Sequence, residues 1–337
     1  MSRASLMVGL VLVAGCTLQR NYQHVPPGGG DSHLAHMQAA DLAPMAVRSS
    51  PSQGTVGIPP SAATAAARLA SSPRHAEWVK IPWEPGSRDS IMAWVVYPVT
   101  RERAPVVVVV HEIFGLTTWI RGVADQLAAD GFIAIAPDFL SRVRGGPSSS
   151  ELPSDSATRL IRGVDAAERN RVIVAAANYA MTLPSAQPRY AVVGFCWGGS
   201  TAFYHATHGG VAGFAAAVAY YGLPYMRGGS PATATTPAVP ATVDADSLRK
   251  IAVPTMLLNG SKDARIAAAM PALDSIMKAL GKDYTGINYE GAIHGFLRAQ
   301  NDPRPTRDEA EEAANLAAAK DAWPRTVAFL RRHLGAR

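Results

Sequence analysis

Short apolar runs and longer amphipathic stretches take turns along this chain from about residue 77 onward. Residues 77–81 and 91–97 alternate apolar and polar with period two, which predicts a hairpin of edge strands. Residues 106–110 are five valines in a row, the pattern of a strand covered on both faces. Further strands are expected at 132–136, 190–194, 214–221, 255–259 and 286–289. Helical spacing of apolar positions fills 116–130, 157–181, 199–208, 263–280 and 307–333. Strands alternating with helices predict an α/β fold: a doubly wound, mostly parallel sheet with helices on both faces. Active sites of such sheets gather at the carboxyl ends of the strands.

The N-terminal part follows no such pattern. In residues 1–16 one cation, Arg3, precedes an apolar run that ends Val13-Ala14-Gly15-Cys16. That is the layout of a secretory signal, and the run is too short for a stable membrane span. Small residues before Cys16 resemble the lipobox of bacterial lipoproteins, which implies diacylglyceryl modification of Cys16 and anchoring to a bacterial membrane on the exported side. A soluble periplasmic protein is the alternative. Residues 17–75 are rich in Pro, Gly, Ala and Ser and lack sustained periodicity, so they are expected to form a flexible tether. The catalytic domain is then 76–337. Within it, residues 228–243 (GGSPATATTPAVPATV) read as a low-complexity exposed insertion.

Composition narrows the function classes. Hydrophobic residues make up 48% and charged residues only 17%, which is globular. The net charge of +6 comes mainly from scattered Arg, with no basic stripe interleaved with aromatics, so nucleic-acid binding is not expected. Cys16 and Cys196 sit in unrelated contexts, and no disulfide between them is expected.

Cys196 carries the chemistry. It lies at the centre of Gly194-Phe195-Cys196-Trp197-Gly198-Gly199, between an expected strand and an expected helix. A strand turning sharply into a helix holds its apex residue in a strained conformation, and glycines two before and two after let the chains pass. The apex then projects beside a helix N-terminus, a placement expected to lower a thiol pKa. Nucleophile elbows present their partners in the order nucleophile, acid, histidine. Asp263 follows the strand at 255–259, and His294 follows the strand at 286–289. His294 would accept the thiol proton, and Asp263 would orient and stabilise the imidazole. The backbone N–H groups of Trp197 and Ile113 would form an oxyanion hole. Glu112 is a carboxylate at the same rim, read as a partner tuning the protonation of the thiol. Asp138 more naturally supports its loop, His205 and His208 face elsewhere, and His111 is a less natural base. No cofactor or metal is implied, since no ligand-spaced cluster remains once the triad is assigned.

Five strings together, His111-Glu112-Ile113-Phe114-Gly115, Ala136-Pro137-Asp138, the elbow, the Asp263 turn and His294-Gly295-Phe296, resemble the dienelactone hydrolase (carboxymethylenebutenolidase) family. The resemblance spans about 77–334 and implies an α/β-hydrolase fold. It also implies a triad of Cys196, Asp263 and His294, with Glu112 assisting thiolate formation. The implied reaction is hydrolysis of a small ester or lactone, with an anionic substrate's carboxylate held by arginines. Arg298 matches one such arginine; the second should precede the elbow, with Arg159 and Arg162 as candidates. Export and the insertion at 228–243 depart from the family pattern and bear on the substrate. The competing readings are a non-catalytic surface lipoprotein with an inherited pocket, and a thioesterase or peptidase.

Overall fold

The computed structural model describes residues 54–148, 152–229, 236–237, 239–302 and 308–335. The expected signal, Cys16 and most of the expected tether lie outside the described residues, as does part of the insertion at 228–243.

The edge hairpin forms as its alternation predicts. Strands β1 (Ala76–Pro82) and β2 (Ser90–Val96) pair antiparallel with Trp78 opposite Trp94. The sheet continues with β3 (Ala104–Val110), β4 (Ile133–Pro137), β5 (Ala186–Phe195) and β6 (Phe214–Tyr220). Past the two-residue strands β7 (Met226–Arg227) and β8 (Thr242–Val243), β9 (Thr255–Gly260) and β10 (Tyr284–Tyr289) complete it. Spatial order is β1-β2-β4-β3-β5-β6-β9-β10, antiparallel at β1/β2 and β2/β4 and parallel elsewhere. Strand β3 is buried along its whole length, so its valines serve both faces. Val107 and Val109 belong to one core and Val106, Val108 and Val110 to the other.

The helices are α1 (Ala65–Ala70), α2 (Thr118–Ala129), α3 (Ser141–Arg144), α4 (Ser154–Arg162) and α5 (Ala166–Met181). After the elbow come α6 (Trp197–Thr207), α7 (Ala245–Arg249), α8 (Ala264–Ala279), α9 (Phe296–Ala299) and α10 (Glu309–Leu334). Residues of α2, α8 and α10 fill the first core, and residues of α5 fill the second.

Two expectations are corrected. The single helix at 157–181 is two, because capping interrupts the apolar spacing. The backbone N–H of Gly163 bonds to Leu160, and the Asp165 side chain accepts the Glu168 N–H at 2.7 Å to start α5. Residues 54–75, expected to belong to the tether, are instead packed on the domain. Ile58, Ser61 and Ala65 are buried, and Trp119 Nε1 donates to the Pro60 carbonyl at 2.9 Å. Arg74 clasps Asp125 of α2 through two nitrogens at 2.9 and 2.6 Å. A stretch that buries scattered prolines and one isoleucine has no period to detect, and composition alone reads it as unpacked. At 228–243, β7 and β8 form a small antiparallel ribbon at the base of the insertion.

Candidate active site

The elbow is formed at the end of β5. Cys196 takes φ 56° and ψ −116° between the strand and α6, a region that non-glycine residues enter at a cost of about 1–3 kcal/mol. Crowding explains the glycines. A Cβ on Gly194 would overlap the Gly198 carbonyl, and one on Gly198 would overlap that of Val110. The turn is held by Cys196 N–H donating to the Tyr220 carbonyl at 3.0 Å and Ser200 N–H donating to the Cys196 carbonyl at 3.1 Å. The Trp197 backbone N–H donates to the Cys196 sulfur.

The electrostatics correct one expectation. The thiol, 6% exposed, is not acidified: burial pushes its pKa up to about 12, and the nearby charge of Glu112 adds to the effect. The Trp197 N–H and the cations Arg265 and Arg298 pull the other way and lose. Desolvation of a buried thiolate outweighs the helix terminus here. The resting sulfur is therefore protonated at neutral pH.

Asp263 and His294 meet as their chain positions require. Asp263 caps α8, accepting the Ile266 N–H at 3.3 Å with Oδ1, while Oδ2 accepts His294 Nδ1–H at 2.6 Å. One carboxylate thus serves the helix and the imidazole with separate oxygens. The His294 loop is fixed from both sides, by Lys262 N–H on the Ala292 carbonyl at 2.9 Å and by Ile293 N–H on Asn315 Oδ1 at 3.0 Å. Since Nδ1 is engaged as donor, Nε2 is the ring nitrogen able to accept a proton.

Glu112 is not at the rim. It is 1% exposed and forms an ion pair with Arg298, Nε to Oε2 at 3.3 Å. The Arg298 guanidinium also lies over the Phe114 ring, 5.7 Å from its centroid. The charges of Glu112 and Arg298 are both felt at Cys196. Ile113 opens a turn closed by Gly115 N–H on the Glu112 carbonyl at 3.4 Å. Arg159 and Arg162 are exposed on α4.

The remaining candidates fall into structural roles. His111 is fully buried, with Nε2 accepting the Phe139 N–H at 3.1 Å and Nδ1 donating to the Glu112 carbonyl at 2.6 Å. Burial lowers its pKa, so it is a neutral brace for the loop. Asp138 holds the following turn through the N–H groups of Leu140 and Ser148. His205 is locked between Tyr190 and Asn170, away from the elbow, and His208 stacks on Tyr204.

Two residues at the site were not expected. Tyr221 follows β6 at φ 39°, its ring 4.8 Å from that of His294. Its hydroxyl is buried without a hydrogen-bond partner among the described residues, and it is electrostatically coupled to Glu112, Arg298 and Cys196. Its only sequence signal was a pair of tyrosines closing an apolar run. Arg169 of α5 lies 4.8 Å over the Trp197 ring, a contact that no local spacing encodes. No cluster of His, Cys, Asp and Glu able to hold a metal ion occurs among the described residues.

The profile of the Dienelactone hydrolase family matches residues 91–334, a span that contains Glu112, Cys196, Asp263, His294 and Arg298. The chain belongs to the dienelactone hydrolase family. It is 30% identical over 245 residues to a Synechocystis sp. protein whose assigned name is that of a carboxymethylenebutenolidase, covering 71% of this chain and 90% of that one. A Bradyrhizobium sp. protein assigned as a 2-oxo-3-(5-oxofuran-2-ylidene)propanoate lactonase is 29% identical over 265 residues, with 77% and 94% covered. Among solved structures, a dienelactone hydrolase from Klebsiella pneumoniae superposes with TM-score 0.56 at 25% identity, covering 75% of this chain and 98% of that one. The fold is accordingly that of the α/β-hydrolases, and this dienelactone hydrolase family member is a carboxylic ester hydrolase.

Proposed function

We propose that this hydrolase cleaves small, carboxylate-bearing esters or lactones through Cys196, His294 and Asp263. The observation that carries the reading is the 2.6 Å bond between His294 Nδ1 and Asp263 Oδ2, on the loops that follow the adjacent strands β9 and β10, which β6 separates from the elbow strand β5. In the reaction, His294 Nε2 takes the thiol proton as sulfur attacks the carbonyl carbon. The backbone N–H groups of Trp197 and Ile113 receive the developing oxyanion. The ester C–O bond then breaks, and the leaving oxygen takes the proton back from His294. Water, deprotonated by the same imidazole, hydrolyses the acyl-thioester and returns the thiol. Asp263 stabilises the imidazolium in both halves.

A protonated resting thiol means that attack must be coupled to proton removal rather than start from a standing thiolate. Glu112 tunes that step through its charge on the sulfur, and Arg298 is the cation that would hold a substrate carboxylate. A lactone with a carboxylate, as in the assigned name of the Bradyrhizobium relative, is the substrate class this pairing favours. Rapid mixing with p-nitrophenyl acetate tests the route: a burst of p-nitrophenol should leave an acetyl group on Cys196 by mass spectrometry. Full turnover by a Cys196→Ala variant would overturn it.

The proposal extends to location: the chain is exported and lipidated at Cys16, so that the hydrolase acts at a membrane surface. Its support is the run Val13-Ala14-Gly15-Cys16 after a short apolar segment. Intact mass should show a mature N-terminus at diacylglyceryl-Cys16, and an unmodified Met1 start would refute it.

A further inference from the structure

The segment just before α1 runs directly over α9, the short helix that carries Arg298. We infer that residues 58–63 form a strap that positions Arg298 and thereby sets affinity for anionic substrates. This rests on the reading of Arg298 as the carboxylate-binding residue.

Four contacts define the strap. Ala62 N–H donates to the Arg298 carbonyl at 2.9 Å, and Ala63 N–H donates to Asp302 Oδ2 at 3.0 Å. Gln300 Nε2 bridges two carbonyls, Pro59 at 2.9 Å and Leu297 at 3.0 Å. Trp119 Nε1 holds the Pro60 carbonyl, while the Trp119 ring packs edge-on against Phe195, the residue before the nucleophile. The strap lies close against α2: a Cβ on Gly122 would sit 2.6 Å from the Pro60 ring.

The geometry explains why Arg298 needs this support. Helix α9 has only four residues, so its last carbonyls have no intrahelical partner. Leu297 and Arg298 find theirs in Gln300 and Ala62, respectively. Gln300 itself is 2% exposed at φ 42°, a conformation that persists only where surroundings enforce it. A helix this short has little rigidity of its own, and its side chains are only as well placed as its ends. Arg298 reaches Glu112 from this helix at 3.3 Å. Any slackening at the Arg298 carbonyl moves the guanidinium relative to both Glu112 and the sulfur. The family profile begins at residue 91, after the strap, so this support is contributed by sequence outside the matched core.

The strap's role differs from a general contribution to folding, because it acts through one side chain toward one substrate charge. Ala62 sits second in a turn closed by Thr64 N–H on the Ser61 carbonyl at 3.3 Å. Proline suits that turn position, so Ala62→Pro removes the donor to Arg298 while keeping the turn. Gln300→Met removes the bridge with little change in volume. Both variants are made in the full chain and compared on p-nitrophenyl acetate and on mono-p-nitrophenyl adipate, which carries a free carboxylate.

For each variant, KM for the adipate ester should rise about tenfold, the scale expected of a misplaced positioning group, with KM for the acetate and kcat for both nearly unchanged. In an Arg298→Ala background, Ala62→Pro should add nothing to the loss of discrimination. Equal changes on the two esters, or none, in both single variants would overturn the strap while leaving Arg298 as a carboxylate site. If Arg298→Ala itself leaves the adipate-to-acetate preference intact, the reading of Arg298 fails and the strap's role falls with it.

Discussion

Replacing Glu112 by Gln should make Cys196 more reactive and the protein less stable, and the two effects separate the roles of that carboxylate. The thiol pKa of about 12 has burial as its first cause and the Glu112 charge as its second. Glu112→Gln removes only the second, and the Arg298 charge then acts on the sulfur without its counter-ion. A neighbouring like charge raises a thiol pKa by about one or more, so the thiol should come down by roughly that amount while staying above an ordinary cysteine. At pH 7 to 9 the thiolate is a minor species either way, so a fall of about one in pKa means about tenfold more thiolate. Alkylation by iodoacetamide, followed at Cys196 by peptide mass spectrometry, should accelerate by about that factor and rise steadily with pH in both proteins. Stability moves the other way. Arg298, 11% exposed, loses its 3.3 Å carboxylate, and breaking a buried pair costs about 3 kcal/mol. For a domain of this size that is a fall in Tm of roughly 6–12 °C. Unchanged or slower alkylation in the variant would refute the electrostatic account of the thiol. A Tm that does not move would refute the Glu112–Arg298 pair as a buried one.

Asp263 should show its two roles in two substitutions. Asp263→Asn keeps an oxygen for the Ile266 N–H but offers an amide to His294, so kcat should fall by about 10⁴ with little loss of stability. Asp263→Ala should lose a similar amount of activity and, in addition, about 1 kcal/mol for the missing cap, read by urea unfolding. His205 gives a pH signature. Burial depresses its pKa from 6.5 to about 3, so the folded state holds it neutral, a stabilising difference present above pH 6.5 and lost as pH falls toward 3. His205→Gln keeps a donor for Asn170 and an acceptor for Tyr190. It should flatten the acid limb of stability against pH by a few kcal/mol, because each tenfold change in proton affinity on folding is worth about 1.4 kcal/mol. An unaltered acid limb would assign the acid sensitivity to other groups.

How legible the site was depended on whether local sequence or long-range packing decides each feature. The sheet was readable because its central strands are nearly pure apolar runs, and the elbow because chain crossing at Gly194 and Gly198 leaves no room for a side chain. Asp263 and His294 were readable because the order of strands fixes which loops share an edge, so two polar residues at strand ends meet 31 positions apart. The thiol's protonation was not readable. A helix N-terminus is visible in sequence and argues for an acidic cysteine, whereas desolvation depends on what the fold stacks over the sulfur. Glu112 misled for the same reason: its place after a strand suggested a rim, and only the packing of Phe114 and Arg298 shows it enclosed.

Residues 54–75 show the limit more sharply, because there the sequence argued for the opposite of what the fold does. Pro, Ser and Ala dominate the segment, and a chain of that composition gains little by ordering on its own. What orders it is a surface prepared elsewhere. Gly122 leaves space for Pro60, Trp119 offers an N–H, Asp125 waits for Arg74, and the open end of α9 offers carbonyls. None of those partners is periodic, and each lies 50 or more positions away from the residue it receives: 59 from Pro60 to Trp119, 51 from Arg74 to Asp125 and 241 from Pro59 to Gln300. The segment's buried apolar residues are Ile58, Pro59, Pro60 and Ala65, and its hydrogen bonds fix the groups they reach. The residue it immobilises most directly, through Ala62 N–H, is Arg298. A strap that merely covered α2 would have no need to reach α9.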